Sequence, residues 1–268
     1  DDTNQGISGI EKFFNQELNN INKIKTPLIL TIDANLQHLI REELIKSQSD
    51  FGNIGSAAIL MDVKNGEILS LISLPDYDLN KRVSIKDKSY MNKITLGVYE
   101  LGSVFKTFTI AAGLENKVID TNTLFKNLEN KLTCDKYIIS EHDKLPKNLS
   151  VEEILVRSSN IGSVRIAQKI GIEKYKNFLN SLGLLEKINF DLEEIGTPIS
   201  FRWGKCKLAT TSYGHGITTT PLQLARAYAI LGNGGHEIKT HMFKENLNIK
   251  GKRKKVISKK TSKQINSM

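Results

Sequence analysis

The segment 105–114 constrains the fold of this 268-residue chain more than any other. Phe105, Phe108, Ile110, Ala111, Ala112 and Leu114 leave almost no polar face, so a helix here must be surrounded on every side. The chain therefore needs a core built around that helix. With 39% hydrophobic residues, it has enough material for one large domain or two small ones. Gly102 permits a tight entry into the helix, and Ser103 stands in its first turn. There, unpaired backbone N–H groups and the positive end of the helix dipole favour an oxyanion.

Lys106 follows Ser103 by one helical turn, on the same face. A serine hydroxyl is a weak nucleophile at neutral pH and needs a proton acceptor beside it. A lysine amine serves when burial or neighbouring cations lower its pKa. Taken alone, Ser-x-x-Lys also reads as a helix start with a surface lysine. A second cluster, Ser158-Ser159-Asn160, places a hydroxyl and an amide in a tight turn between helices. The hydroxyl can relay a proton and the amide can fix a carbonyl, although ordinary turn formers at a helix end look the same. The two patterns occur in order and roughly 50 residues apart, as in penicillin-recognising serine enzymes.

Around these clusters the punctuation is readable. Ser8-Gly9-Ile10-Glu11 has the capping-box pattern ahead of a short helix. Residues 28–32 read as a strand, and Asp33 caps a helix with Leu36, Leu39, Ile40 and Leu44 on one face. Residues 57–63, the turn Asn65-Gly66 and residues 67–74 form a hairpin closed by Pro75. Residues 120–150 show no clear periodicity. Ser150-Val151-Glu152-Glu153 is a second capping box, and helices over 162–170 and 174–182 end at Gly171 and Gly183. Thr220-Pro221-Leu222-Gln223 combines an N-cap, a proline at the first helical position and a capping glutamine; Asn233-Gly234-Gly235 is a turn. A strand hairpin followed by many helices indicates an α+β fold.

The net charge of +9 suggests nucleic acid until it is located. Nine Lys/Arg against one acidic residue fall within 241–268, and the remainder is nearly neutral. The run Lys250-Gly251-Lys252-Arg253-Lys254-Lys255 reads as a solvated loop facing water, anionic lipid or polymer, and no nucleic-acid recognition motif accompanies it. Cys134 and Cys206 are too few for a disulfide framework and lack metal-ligand spacing, so two plain thiols are expected and no metal. No stretch has the length of a membrane-spanning helix. The chain starts Asp1-Asp2, which leads us to expect a piece of a longer protein, with any N-terminal anchor outside it.

Taken together, these motifs resemble the transpeptidase domain of class B penicillin-binding proteins, most closely the septal cell-division (FtsI-like) type. The resemblance extends from Gly9-Ile10-Glu11 through Leu30-Thr31-Ile32-Asp33, Gly66-Glu67-Ile68-Leu69 and Leu74-Pro75-Asp76-Tyr77-Asp78. It continues through Tyr99-Glu100-Leu101-Gly102-Ser103-Val104-Phe105-Lys106, Ser158-Ser159-Asn160-Ile161-Gly162, Gly214-His215-Gly216 and Thr220-Pro221-Leu222-Gln223-Leu224-Ala225. It implies a penicillin-binding-protein/β-lactamase-like fold, with helices packed on an antiparallel sheet. Residues 1–26 would end a non-catalytic module or linker, and 27–268 would be the transpeptidase domain. By the same likeness, Ser103 is the acylated nucleophile, Lys106 its base, Ser158 a proton shuttle and Asn160 a peptide holder. Gly102, Ser159, Tyr213, Gly214, His215 and Gly216 are candidates for substrate contact, with His215 in a structural loop rather than acting as a base.

The implied partners are peptidoglycan stem peptides, β-lactams and divisome membrane proteins, on the extracytoplasmic face of the membrane and without a cofactor. An inactive scaffold and a β-lactam-hydrolysing or -sensing relative are the alternatives. The family's Lys-Thr-Gly or Lys-Ser-Gly tripeptide does not occur in the sequence. Residues 256–262 look like the helix before the strand that carries it, so the chain is expected to stop short of that strand. Low activity, and a hairpin short of neighbours, are expected with it.

Overall fold

The computed structural model describes residues 5–20, 27–78, 87–135, 137–244 and 253–268. Near the start lie two short helices, α1 (Gly9–Phe13) and α2 (Asn15–Leu18). Ser8 is the N-cap of α1 but makes no side-chain capping bond. The expected capping box is thus absent, and the adjacent Gly9 N–H donates to the distant Glu194 carboxylate at 3.0 Å. The predicted strand at 28–32 is an extended segment with a single bridge, Leu30 to Phe243, although Thr31 N–H also donates to the Met242 carbonyl.

Asp33 caps α3 (Ala34–Phe51), accepting from the N–H groups of Asn35 and Leu36. Leu36, Ile40 and Leu44 are half-buried along one stripe, whereas Leu39 is 58% exposed, turned past its edge. Strands β1 (Ser56–Met61) and β2 (Ile68–Leu74) form the expected antiparallel hairpin, with Ile59 opposite Leu71. Gly66 turns it with φ +86°, a left-handed conformation that favours glycine. In β2, burial alternates strictly, with Ile68, Ser70, Ile72 and Leu74 facing inward.

The helical half is organised about α4 (Phe105–Glu115), which a 3-10 turn at Gly102–Val104 precedes. Phe105, Phe108, Ile110, Ala111 and Ala112 are fully buried, as the apolar circumference requires. Helices α5 (Val151–Val156), α6 (Asn160–Ile170) and α7 (Ile172–Ser181) pack on α4. Helix α8 (Lys205–Thr211) lies on α6 and α7, and α9 (Pro221–Gly232) packs on β1. Helix α10 (Lys259–Asn266) closes against α4 and α9. The capping boxes at Ser150/Glu153 and Thr220/Gln223 both form. The hairpin β1–β2 is thus covered by α3 and α9, which offsets the marginal stability of two strands alone.

Residues 120–150 contain more order than their sequence suggests. Strand β3 (Leu124–Phe125) pairs with β6 (Leu149–Ser150), and β4 (Lys131–Cys134) pairs with β5 (Tyr137–Ser140). At the tip of the β4–β5 hairpin, Cys134 is disulfide-bonded to Cys206 of α8, with 5.5 Å between their Cα atoms. This corrects the expectation of two free thiols. The partners lie 72 residues apart, and only the packing of the hairpin on the helical half brings them together. Of the basic run, residues 250–252 lie outside the described residues. The backbone at 254–256 is laid along 235–237, with Glu237 N–H donating to the Lys254 carbonyl.

Candidate active site

Ser103 is exposed on the 3-10 turn, and Lys106, one turn later, is only 2% exposed. The Lys106 ammonium donates to Ser103 Oγ at 3.2 Å, to Ser158 Oγ at 2.7 Å and to the Ser158 carbonyl. Burial pulls its pKa down from 10.5 to about 8, against the Glu141 carboxylate, whose charge raises it. The amine is still mostly protonated at pH 7, but its neutral fraction is far larger than an ordinary lysine's, as a base for a serine requires.

The serine turn is pinned from several sides. Tyr228 Oη donates to the Val104 carbonyl at 2.7 Å, and Thr109 Oγ1 donates to the Ser212 carbonyl at 2.7 Å. Tyr99 and Thr219 exchange backbone hydrogen bonds at 3.0 Å, tying the approach to Ser103 to the chain after Gly216. Gly214, at φ +80°, lies directly on the Gly102 backbone, where any Cβ would run into the Gly102 carbonyl. The Gly214-His215-Gly216 loop therefore abuts the turn that carries Ser103 through glycine at closest approach.

Ser158 follows α5 with φ +54° and places its exposed hydroxyl against Lys106. Ser159 is buried: its Oγ accepts from Gly162 N–H as the N-cap of α6 and donates to Glu141 at 2.6 Å. Its side chain points into the protein, unlike the substrate-facing group expected from sequence. Asn160 is half-buried and donates its Nδ2 to the Ser140 carbonyl at 2.8 Å, leaving Oδ1 for other donors. Tyr213 is half-buried, and burial raises its pKa. Its ring stacks on His215, which is exposed and pairs with Glu100 at 3.4 Å. Gly216 is held by the Lys207 ammonium through its carbonyl. Ser103, Lys106 and Ser158 thus meet directly, and Gly102, Asn160, Tyr213, Gly214 and His215 lie around them. Among the described residues no cluster of His, Cys, Asp or Glu could hold a metal ion.

The family model for the penicillin binding protein transpeptidase domain matches residues 56–268. The chain belongs to that family. Among its relatives, the "Probable peptidoglycan D,D-transpeptidase FtsI" of Caulobacter vibrioides is 34% identical over 210 residues, covering 78% of this chain and 36% of the relative. The peptidoglycan D,D-transpeptidase FtsI of Buchnera aphidicola is 31% identical over 301 residues, 99% of this chain and 51% of the relative. The chain therefore spans about half or less of these curated relatives. In three dimensions it superposes on the TP domain of Burkholderia pseudomallei penicillin-binding protein 3 with a TM-score of 0.78 and 26% identity, covering 91% of this chain and 69% of that one. Relatives named FtsI are thus among those most similar to this transpeptidase domain, and its α+β penicillin-binding-protein fold agrees with the sequence expectation.

Two residues of the transpeptidase site escape the sequence reading. Glu141 accepts from Ser159 Oγ and from the N–H groups of Asn160 and Ile161, yet it sits in a stretch without periodicity. Tyr228 looks like an ordinary helix residue until α9 packs beside the serine turn.

Proposed function

We propose that this domain performs acyl transfer on peptidoglycan stem peptides, with Ser103 as nucleophile. The carrying observation is one buried amine within hydrogen-bond reach of two serine hydroxyls, Ser103 and Ser158. In its neutral form Lys106 takes the Ser103 proton as Oγ attacks the carbonyl of the penultimate D-alanine. Ser158 passes that proton to the departing amine, D-alanine leaves, and an ester links Ser103 to the donor peptide. An acceptor amine then enters from a neighbouring strand, loses its proton along the same path, and releases the cross-linked product. Water as acceptor would give carboxypeptidase activity instead. A β-lactam, whose strained amide resembles the terminal dipeptide, acylates the same hydroxyl.

Septal cell-wall synthesis with divisome membrane proteins is the setting that the FtsI-type likeness supports. The Cys134–Cys206 bridge fits a location outside the cytoplasmic membrane, where disulfides persist. Glu141 gives both oxygens to Ser159, Asn160 and Ile161, which favours a penicillin target over a hydrolase that needs a free carboxylate to activate water.

The test is peptide mapping by mass spectrometry after incubation with a fluorescent penicillin. The adduct is expected on Ser103 and absent in Ser103→Ala at unchanged Tm. An adduct on another side chain, or none, overturns the proposal. The rate of acylation depends on groups besides the nucleophile, such as the donors of an oxyanion hole. The position of the adduct, not its speed, is therefore decisive.

A further inference from the structure

Glu141 directly follows strand β5, and all its described hydrogen bonds go to one turn. Its Oε1 accepts from Ser159 Oγ at 2.6 Å and from Ile161 N–H at 3.1 Å, and its Oε2 accepts from Asn160 N–H at 2.7 Å. The preceding carbonyl, that of Ser140, takes the Asn160 amide at 2.8 Å. Two consecutive residues thus grip three consecutive residues of the Ser158–Ile161 segment. Two of the bonds satisfy free N–H groups at the start of α6, where a negative charge also meets the positive end of the helix dipole. Charge-assisted bonds of this kind are roughly twice as strong as neutral ones. The β4–β5 hairpin that delivers the carboxylate is itself fastened to α8 by the Cys134–Cys206 bridge.

The turn so gripped carries the Ser158 hydroxyl, whose 2.7 Å bond to Lys106 spans the gap between α4 and the α5–α6 junction. We propose that Glu141 is a positioning residue for acyl transfer, holding the 158–160 turn at the offset from α4 where the Ser158 hydroxyl meets the Lys106 amine. This proposal rests on the acyl-transfer reading above.

Its charge also bears on Lys106, raising the pKa that burial lowers. Beside it, His142 pairs with Asp143, and several titratable groups on the packed elements are engaged elsewhere. Glu153 pairs with Arg157 on the outside of α5, and Arg165 of α6 pairs with Glu129. Tyr175 of α7 is buried against Thr109, and Lys207 of α8 holds the Gly216 carbonyl. Glu115 receives Ser258 and Thr261 at the far end of α4, and Glu100 pairs with His215 at the rim.

The experiment compares the unsubstituted protein with Glu141→Gln and Glu141→Asp, reading the acylation rate of Ser103 by a fluorescent penicillin against pH and the Lys106 titration by NMR. Glu141→Gln removes the charge and is expected to slow acylation roughly tenfold or more, since small misplacements of reacting groups are costly. It should also move the Lys106 midpoint below its value of about 8, because the charge that raises it has gone. Glu141→Asp keeps the charge and should restore the midpoint and part of the rate; it also serves if the Gln variant does not fold. A carboxylate that only capped α6 would lower Tm and leave the acylation rate in place, while the loss of its charge would move the midpoint all the same. Acylation within about twofold of the unsubstituted protein overturns the proposal, wherever the midpoint lies. If the unsubstituted protein forms no adduct, the acyl-transfer reading fails separately, and NMR contacts between Lys106 and Ser158 then decide the positioning: their loss in Glu141→Gln supports it and their persistence overturns it.

Discussion

Ser158 occupies a position where helices usually end in glycine. Its N–H donates to Leu155 and that of Ser159 to Ile154, the paired bonds of a Schellman ending, with Ser158 at the left-handed residue. A side chain there costs about 1 kcal/mol relative to glycine. That cost is repaid in chemistry, because the hydroxyl meets Lys106. Ser158→Gly should therefore keep or raise Tm while acylation of Ser103 falls by roughly 10²-fold, the scale of a lost proton-transfer partner. Thermal melts beside fluorescent-penicillin kinetics check both halves; a fall in Tm of several degrees would contradict the account. Ser103, Lys106 and Ser158 are legible in sequence because helical spacing and a turn motif are local. Glu141 is not, since its partners lie 18 to 20 residues on and meet it only after α6 packs. Ser159, adjacent to two site residues, turns inward because its hydroxyl caps α6.

Among elements, the β4–β5 hairpin has the least visible sequence signal and bears most directly on the site. Its strands are four residues each, too short for alternation to stand out, and its tip is anchored by a cysteine with a distant partner. Closing a loop of that length stabilises a fold by about 4 kcal/mol in the chain-entropy account. Reduction, or the double change Cys134→Ser with Cys206→Ser, should lower Tm and slow Ser103 acylation, since Ser140 and Glu141 sit at the base of the loosened hairpin. Melts with and without a thiol reductant test this: the natural sequence should respond and the double variant should not. Where capping is local, as at Ser150 and Thr220, the elements follow the sequence signals. At Ser8 the same pattern does not form; the neighbouring Gly9 N–H is met instead by Glu194, 185 residues on.

At the scale of the whole molecule, α4 is the centre of the core, carries Lys106 and follows directly on the turn with Ser103. Its far end holds the chain's last helix. The Glu115 carboxylate accepts from Ser258 N–H and Thr261 Oγ1 at the start of α10, where Ser258 is the N-cap. Desolvation raises the Glu115 pKa, but the bonds from Thr261 and Ser258 outweigh it and leave a net depression from 4.5. A depressed carboxylate contributes stability that is present above the unfolded pKa and lost as pH falls through the folded one. Glu115→Gln should thus lower stability at pH 7, by no more than about 1 kcal/mol for a largely solvent-screened group, with the deficit shrinking once pH drops below about 4.5, as urea melts across that range would record. The α+β architecture was legible from one hairpin and several capped helices. The docking of α10 was not, because it depends on an acid 143 residues earlier. The covalent link from 134 to 206 brackets α5, α6 and α7, so the segment bearing Ser158 and Asn160 lies inside a closed ring of chain. Material made in a reducing host cytosol would lack that ring, and drug-binding assays on such preparations would report on a different molecule from one oxidised after export.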